Sequence, residues 1–185
     1  PGQILRVEGK NGSGKTSLLR IMAGLAQPLE GEVLWGNHKI HQAESSYFQE
    51  LLFIGHRAGI KYELTPVENL CMTQSLQGGY KATIEEALYQ VGLYGFEDIP
   101  CAQLSAGQKR RVALAQLFLT RAKCWILDEP YTSLDIAAVS MLETRFAQHI
   151  NEGGILVITS HQPVNVAAIN QYRIILPNTM MEPLT

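Results

Sequence analysis

The stretch Gly9-Lys10-Asn11-Gly12-Ser13-Gly14-Lys15-Thr16 fits G-x-x-x-x-G-K-[ST], a spacing whose residue types can cradle phosphate. Glycines let the backbone curl so that successive N–H groups converge on anionic oxygens. A helix beginning at about Gly14 adds the positive end of its dipole. In that arrangement Lys15 reaches the β- and γ-phosphates and the Thr16 hydroxyl holds Mg²⁺. Gly9, Lys10, Asn11, Gly12, Ser13, Gly14, Lys15, Thr16 and Ser17 are therefore the candidate triphosphate-binding residues. A chance match is the competing reading in a chain with 16 glycines, and the flanks argue against it. Ile4-Leu5-Arg6-Val7 ahead of the loop is a β-type segment. Behind it, Leu18, Leu19 and Met22 recur at helical spacing up to a stop at Gly24.

Three later stretches carry further candidates. Leu104-Ser105-Ala106-Gly107-Gln108 is a capping box on Ser105 and Gln108 that opens a helix running to about Thr120, and a well-capped helix is all it need be. Cys124-Trp125-Ile126-Leu127 is a short apolar strand that ends on Asp128-Glu129. Open α/β sheets bind ligands at that end of their strands, so two carboxylates there read as a site rather than a surface turn. Ile155-Leu156-Val157-Ile158-Thr159 is a second buried strand, ending on Ser160-His161-Gln162. A lone histidine is more often a satisfied surface residue, but the tip of a core strand is a place for chemistry.

The rest of the chain supplies elements to hold these groups. Gly31 to Trp35 reads as a strand followed by a Gly36-Asn37 turn, Ala43 to Glu50 as a short helix, and Leu51 to Gly55 as a buried parallel strand. His56 to Leu64 is irregular. Thr65-Pro66-Val67-Glu68 and Thr83-Ile84-Glu85-Glu86 are two capping boxes, so residues 65 to about 103 form a helical insertion. Ser133-Leu134-Asp135 caps a helix from Ile136 to Ile150, and Gly153-Gly154 turns the chain back. The 185 residues suffice for one large domain, with 46% hydrophobic and 17% charged residues. A net charge of -2 speaks against a global field for nucleic acid, and no apolar run has the length of a membrane span. Cys71, Cys101 and Cys124 are odd in number and far apart, which makes free thiols of a reducing compartment. Pro1-Gly2-Gln3 opens without an initiator Met one strand before the loop, and further strands are expected ahead of it.

Taken in order, phosphate loop, helical insertion, Leu104 to Gln108, Asp128-Glu129, Ser133-Leu134-Asp135 and His161, the chain resembles the ATP-binding cassette family over nearly its whole length. The resemblance implies an α/β fold of the P-loop NTPase class, with a mainly parallel core sheet and a helical subdomain. It implies one ATPase domain over 1–185, with 1–55 and 104–185 as the core and about 56–103 as the subdomain. It implies ATP and Mg²⁺ as cofactors, with Asp128 as a metal residue beside Thr16 and with Glu129 and His161 as the catalytic pair. Ser105, Gly107 and Gln108 would meet the nucleotide of a second cassette in a head-to-tail homodimer, and Asp135 would couple the two sites.

Three positions depart from the family pattern. His56 stands where many cassettes have glutamine, and imidazole is a poor ligand for a cation that prefers oxygen. Ala106 replaces a commoner glycine. The aromatic residue that stacks on adenine belongs ahead of Pro1.

Gly31 to Trp35, Ile54-Gly55-His56, Gly95 to Pro100, Leu119 to Ala122, Trp125 to Pro130 and His161-Gln162-Pro163 narrow the likeness. They resemble the ATP-binding subunits of haem exporters in cytochrome c maturation. That implies a peripheral ATPase on the cytoplasmic face of a bacterial inner membrane, partnered by integral membrane permease subunits of a haem-handling complex, with no nucleic acid. Two competing readings stay open. One is a soluble cassette acting on nucleic acid or the ribosome, which the 15 Lys+Arg against 17 Asp+Glu do not favour. The other is a regulatory cassette that binds ATP without hydrolysing it.

Overall fold

The computed structural model describes residues 2–41, 44–77, 82–166, 170–177 and 181–183. The chain runs β1 (Gln3–Gly9), α1 (Lys15–Met22), β2 (Leu34–Trp35), β3 (His38–Lys39), α2 (Glu44–Gln49) and β4 (Leu51–Ile54). Then come α3 (Pro66–Gln77), α4 (Ile84–Gln90), a 3-10 turn (Cys101–Gln103), α5 (Ala106–Leu119), β5 (Cys124–Asp128), α6 (Ile136–Asn151), β6 (Ile155–Thr159), β7 (Asn170–Leu176) and β8 (Met181–Pro183). Strands β4-β5-β6-β1-β7 are parallel neighbours in that order, and β8 closes the edge antiparallel to β7.

Side-chain alternation along the strands assigns each residue to one of two covered faces. On β5, Trp125 and Leu127 join the cluster under α5 and α6 with Leu114, Leu117, Leu142 and Phe146. Cys124 and Ile126 point the other way, into the cluster with Leu19 and Ala23 at the α1 side. By the same parity Asp128 belongs to the α1 face. On β6, Leu156 and Ile158 face α6, whereas Val157 faces α1 and Thr159 shares its parity. Trp125 is fully buried with the His149 ring stacked on it at 3.6 Å between centroids and Arg145 at 4.8 Å. A Cβ at Gly154 would lie 2.3 Å from that His149 ring, so the turn before β6 needs a bare glycine.

A third cluster joins α3, α4 and α5 through Leu70, Leu88, Leu93, Val112 and Leu119. Helix α5 is thus packed on two sides: Ala113, Leu114 and Leu117 on the sheet, Val112, Ala115 and Leu119 on α3 and α4. All three expected capping boxes form, at Thr65/Glu68, Thr83/Glu86 and Ser105/Gln108. Residues 56–64 are irregular as expected. Buried Asn69 holds them, accepting from the Lys61 N–H at 2.7 Å and donating to the Lys61 carbonyl at 2.9 Å.

One expectation shifts. The Gly31–Trp35 strand shrinks to Leu34–Trp35, paired with β3 in a two-stranded hairpin, because Gly31 takes a positive φ of 83° and breaks extension. Strands β7 and β8 went unread; Tyr172-Arg173-Ile174-Ile175-Leu176 carries an apolar strand signal that could have found the first. The expected helix start at Ala43 and the opening Pro1 lie outside the described residues.

Candidate functional site

Parallel strands deliver their C-terminal ends to one edge of the sheet. The ends of β1, β5 and β6 are neighbours there, with Asp128 opposite Thr159 in register. The phosphate loop leaves β1 at Gly9 and enters α1, whose N-cap is Gly14 at φ 93°. Gly12 also has a positive φ, 80°, and a Cβ at Gly12 or Gly14 would meet nothing within 4 Å. The glycines are therefore there for backbone conformation and for the open approach of something else. At Gly9 the constraint is different, since a Cβ would lie 2.5 Å from Ser13 Oγ. Ser13 Oγ is itself buried without a hydrogen bond.

Lys15 Nζ donates to the carbonyls of Gly9 (2.7 Å) and Lys10 (3.1 Å), folding the cation over the loop it closes. Thr16 Oγ1 donates to Asp128 Oδ2 at 2.8 Å. Thr159 Oγ1 donates to the other carboxylate oxygen, Oδ1, at 2.7 Å and accepts the Glu129 N–H at 2.9 Å. Asp128 is 2% exposed, so its charge is desolvated and its two oxygens are held by two hydroxyls. Sequence reasoning missed Thr159; the signal was a polar residue closing an apolar strand next to His161.

Glu129 leaves the strand with φ 50°, the left-handed region that costs a side-chain-bearing residue about 1–2 kcal/mol. That turn breaks the alternation, and Glu129 lines the same cleft as Asp128. Oε2 accepts the His161 N–H at 3.3 Å, while Oε1 is buried without a hydrogen bond, 3.5 Å from His161 Nε2.

A cleft of about 510 Å³ opens over these groups, lined by Gly12, Lys15, Thr16, Asp128, Glu129 and His161 among others, with His56 on its wall. The sequence candidates from the loop, β5 and β6 are thus brought together. Ser105, Gly107 and Gln108 are not among the residues lining it. Ser105 is the exposed N-cap of α5, and Gln108 Oε1 is engaged by the Ser105 N–H at 2.9 Å. Gly107 is pressed against the neighbouring turn, where a Cβ would lie 2.6 Å from the Ser133 carbonyl oxygen. Asp135 caps α6 through Oδ1, accepting the Ala138 N–H at 2.8 Å, and pairs with Arg111 through Oδ2.

The oxygen set suits a hard divalent cation. Mg²⁺ takes one or two protein oxygens and completes its shell with water and phosphate oxygens. The Thr16 hydroxyl and the Asp128 carboxylate, already within hydrogen-bond distance of each other, are such a pair. Among the described residues no cluster of three or more His, Cys, Asp or Glu offers a protein cage for another metal.

A glycine-rich loop entering a helix beside an acidic strand end is the architecture of a P-loop nucleotide-binding fold. The ABC transporter family model matches residues 1–132, and the chain belongs to that family. It is an ATPase of the transporter type, hydrolysing ATP to ADP and phosphate. Among relatives, the cytochrome c biogenesis ATP-binding export protein CcmA of Escherichia coli K12 is 53% identical over 178 residues, 96% of this chain and 85% of that protein. The protein of the same name from Shigella flexneri is 53% identical over the same share of both chains. In fold, the chain resembles the dimeric ATP-binding cassette MJ0796 bound to ADP and Pi, with a TM-score of 0.83 at 24% identity, covering 100% of this chain and 86% of that one. It also resembles an ATP-binding subunit of an ABC transporter, with a TM-score of 0.82 at 21% identity over 99% of this chain and 79% of the other.

Proposed function

We propose that this chain is the ATP-hydrolysing subunit of the haem export or haem-chaperone release complex of cytochrome c maturation. The identity of 53% over 96% of the chain to the cytochrome c biogenesis export protein supports that assignment. In this reading residues 1–55 and 104–185 are the P-loop core, and about 56–103 are the helical subdomain. The partners are integral membrane permease subunits of the CcmB and CcmC kind, met at the cytoplasmic face of a bacterial inner membrane. No helix among the described residues is long and apolar enough to cross a membrane, which is compatible with a peripheral subunit.

The observation that carries the chemistry is the hydroxyl–carboxylate chain Thr16–Asp128–Thr159, buried at Asp128 and Thr159, with Glu129 next to it on the same cleft. Thr16 and Asp128 would hold Mg²⁺, which would neutralise charge on the phosphate oxygens. The loop N–H groups and the α1 N-terminus bind the β-phosphate side of ATP, and Lys15 moves from the Gly9 and Lys10 carbonyls onto the phosphates. Glu129 orients the attacking water, and His161 contacts the γ-phosphate. Phosphoryl transfer asks for alignment and charge stabilisation more than for covalent chemistry, and these groups supply both. Ser105 and Gly107 stand apart from the cleft of their own chain, so they act on the nucleotide of a second copy. Hydrolysis therefore follows head-to-tail closure of two cassettes, with Asp135 at the crossing.

The experiment is recovery of the full-length Glu129→Gln protein with ATP from gently solubilised native membranes. An ATP-bound dimer that copurifies with small polytopic cytochrome-maturation subunits is expected. Other permeases would move the substrate, ribosomal proteins or DNA would overturn the transporter assignment, and parental turnover would remove Glu129 from catalysis.

A further inference from the structure

Arg110 lies on the apolar stripe of α5, one turn before Ala113 and Leu114, and is 4% exposed. A buried guanidinium is costly unless its five N–H donors are met. Here they are met by the main chain at both sides of the site. Nη2 donates to the carbonyls of Asp128 (3.0 Å) and Glu129 (3.0 Å), and Nε donates to that of Pro130 (3.3 Å). Nη1 donates to the carbonyls of Gly55 (2.8 Å) and His56 (3.4 Å).

Three consecutive carbonyls, 128 to 130, therefore converge on one cation. The middle residue is Glu129, held at φ 50°. A turn in that region persists only where its surroundings over-determine it. The Thr159 hydroxyl holds the Glu129 N–H from one side, and Arg110 holds the carbonyls from the other. The same guanidinium fixes the carbonyl of His56, whose residue lines the nucleotide cleft. Arg110 stands five residues beyond Ser105, the N-cap of the same helix.

We propose that Arg110 is a positioning residue that clamps the left-handed Glu129 turn and the Gly55–His56 segment to α5. The helix that reads the second copy's nucleotide and the carboxylate that serves its own nucleotide then move as one unit. With its donors turned onto main-chain carbonyls, Arg110 acts through Glu129. The inference rests on the reading of Glu129 as the carboxylate that orients water.

The test is a double-mutant cycle on the full-length protein with Arg110→Met, Glu129→Gln and their combination, and with Arg110→Lys as the conservative variant. Two quantities are read: equilibrium ATP affinity and the single-turnover rate of phosphate release. Arg110→Met is expected to keep ATP affinity within about two-fold while slowing release about 100-fold, the scale of a misplaced catalytic group. In the Glu129→Gln background the same change is expected to add less than about two-fold, because the group it positions is already gone. Arg110→Lys, which can meet some of the carbonyls, is expected to recover about ten-fold of the loss at unchanged affinity. If Arg110→Met does not fold, the cycle is run with Arg110→Lys. Losses that multiply in the double variant, or turnover near parental in Arg110→Met while Glu129→Gln is slow, overturn the clamp. Parental turnover in Glu129→Gln alone instead overturns the reading beneath it.

Discussion

Replacing Thr159 by valine isolates the hydroxyl at the centre of the site. The side chain is 0% exposed and its oxygen does two things at once, donating to Asp128 Oδ1 at 2.7 Å and accepting the Glu129 N–H at 2.9 Å. Valine keeps nearly the same volume, so the change opens no cavity. It removes a hydrogen bond to a buried carboxylate, a class that contributes about 1.5–3 kcal/mol. It also leaves the Glu129 amide without its partner, at about 1–3 kcal/mol. One hydroxyl serves both, so the two terms overlap, and we expect about 3 kcal/mol in total. For a chain of this length that lowers Tm by about 6–12 °C. Thr159→Ser is the control: it keeps the oxygen, drops one methyl and should cost about 1 kcal/mol. The assay is thermal unfolding without nucleotide, paired with steady-state ATPase. Turnover of Thr159→Val should fall about 100-fold, since Asp128 and Glu129 both lose a fixed neighbour, while Thr159→Ser stays within a few-fold of the parent. If valine melts within about 2 °C of the parent, less than 1 kcal/mol on this scale, and hydrolyses ATP at the parental rate, the hydroxyl does not hold the Asp128 carboxylate and the Glu129 backbone in place.

Lys15→Ala should abolish ATP binding in an equilibrium titration, with little change in Tm, because its bonds in this structure go only to the nearby loop carbonyls of Gly9 and Lys10. Unchanged affinity would remove the loop from the argument. Thiol titration with a disulfide reagent at pH 8 should find one fast group, Cys71, which is exposed, and two slow ones, Cys101 and Cys124, which are buried. Burial pushes the Cys101 thiol up and the Cys124 thiol up to about 12 from 9.0. The unfolded chain loses the Cys124 proton first, so this group's stability contribution is full below about pH 9 and falls as pH rises towards 12. Urea unfolding at pH 8 and pH 10 in the parent and in Cys124→Ala would show it. A parent that loses no more stability than the variant between those pH values refutes it.

Much of the molecule is written locally. Gly9 to Thr16 must curl whatever surrounds it, because glycines at 12 and 14 permit positive φ and α1 begins at once. The capping boxes at Thr65, Thr83 and Ser105 and the apolar runs of β4, β5 and β6 depend on neighbours three or four residues away, and they were legible for that reason. The period-2 rule also carries Asp128 to the face of Cys124 and Ile126 once the strand is recognised. What no local rule supplies is who stands opposite. That Thr159 meets Asp128 follows from β5 and β6 being neighbours in register, a pairing across 31 residues of chain. That Arg110 ends on five carbonyls follows from the docking of α5 under two strand ends, and its place on an apolar stripe was the only hint. Gly153-Gly154 reads as a turn from sequence, yet Gly154 has to be bare because the His149 ring, stacked on Trp125, fills the space beside it. Backbone conformation is governed by short-range sterics and hydrogen bonds, which sequence spacing records. Partnership of buried polar groups is governed by the packing of distant elements, which arises only when the sheet closes.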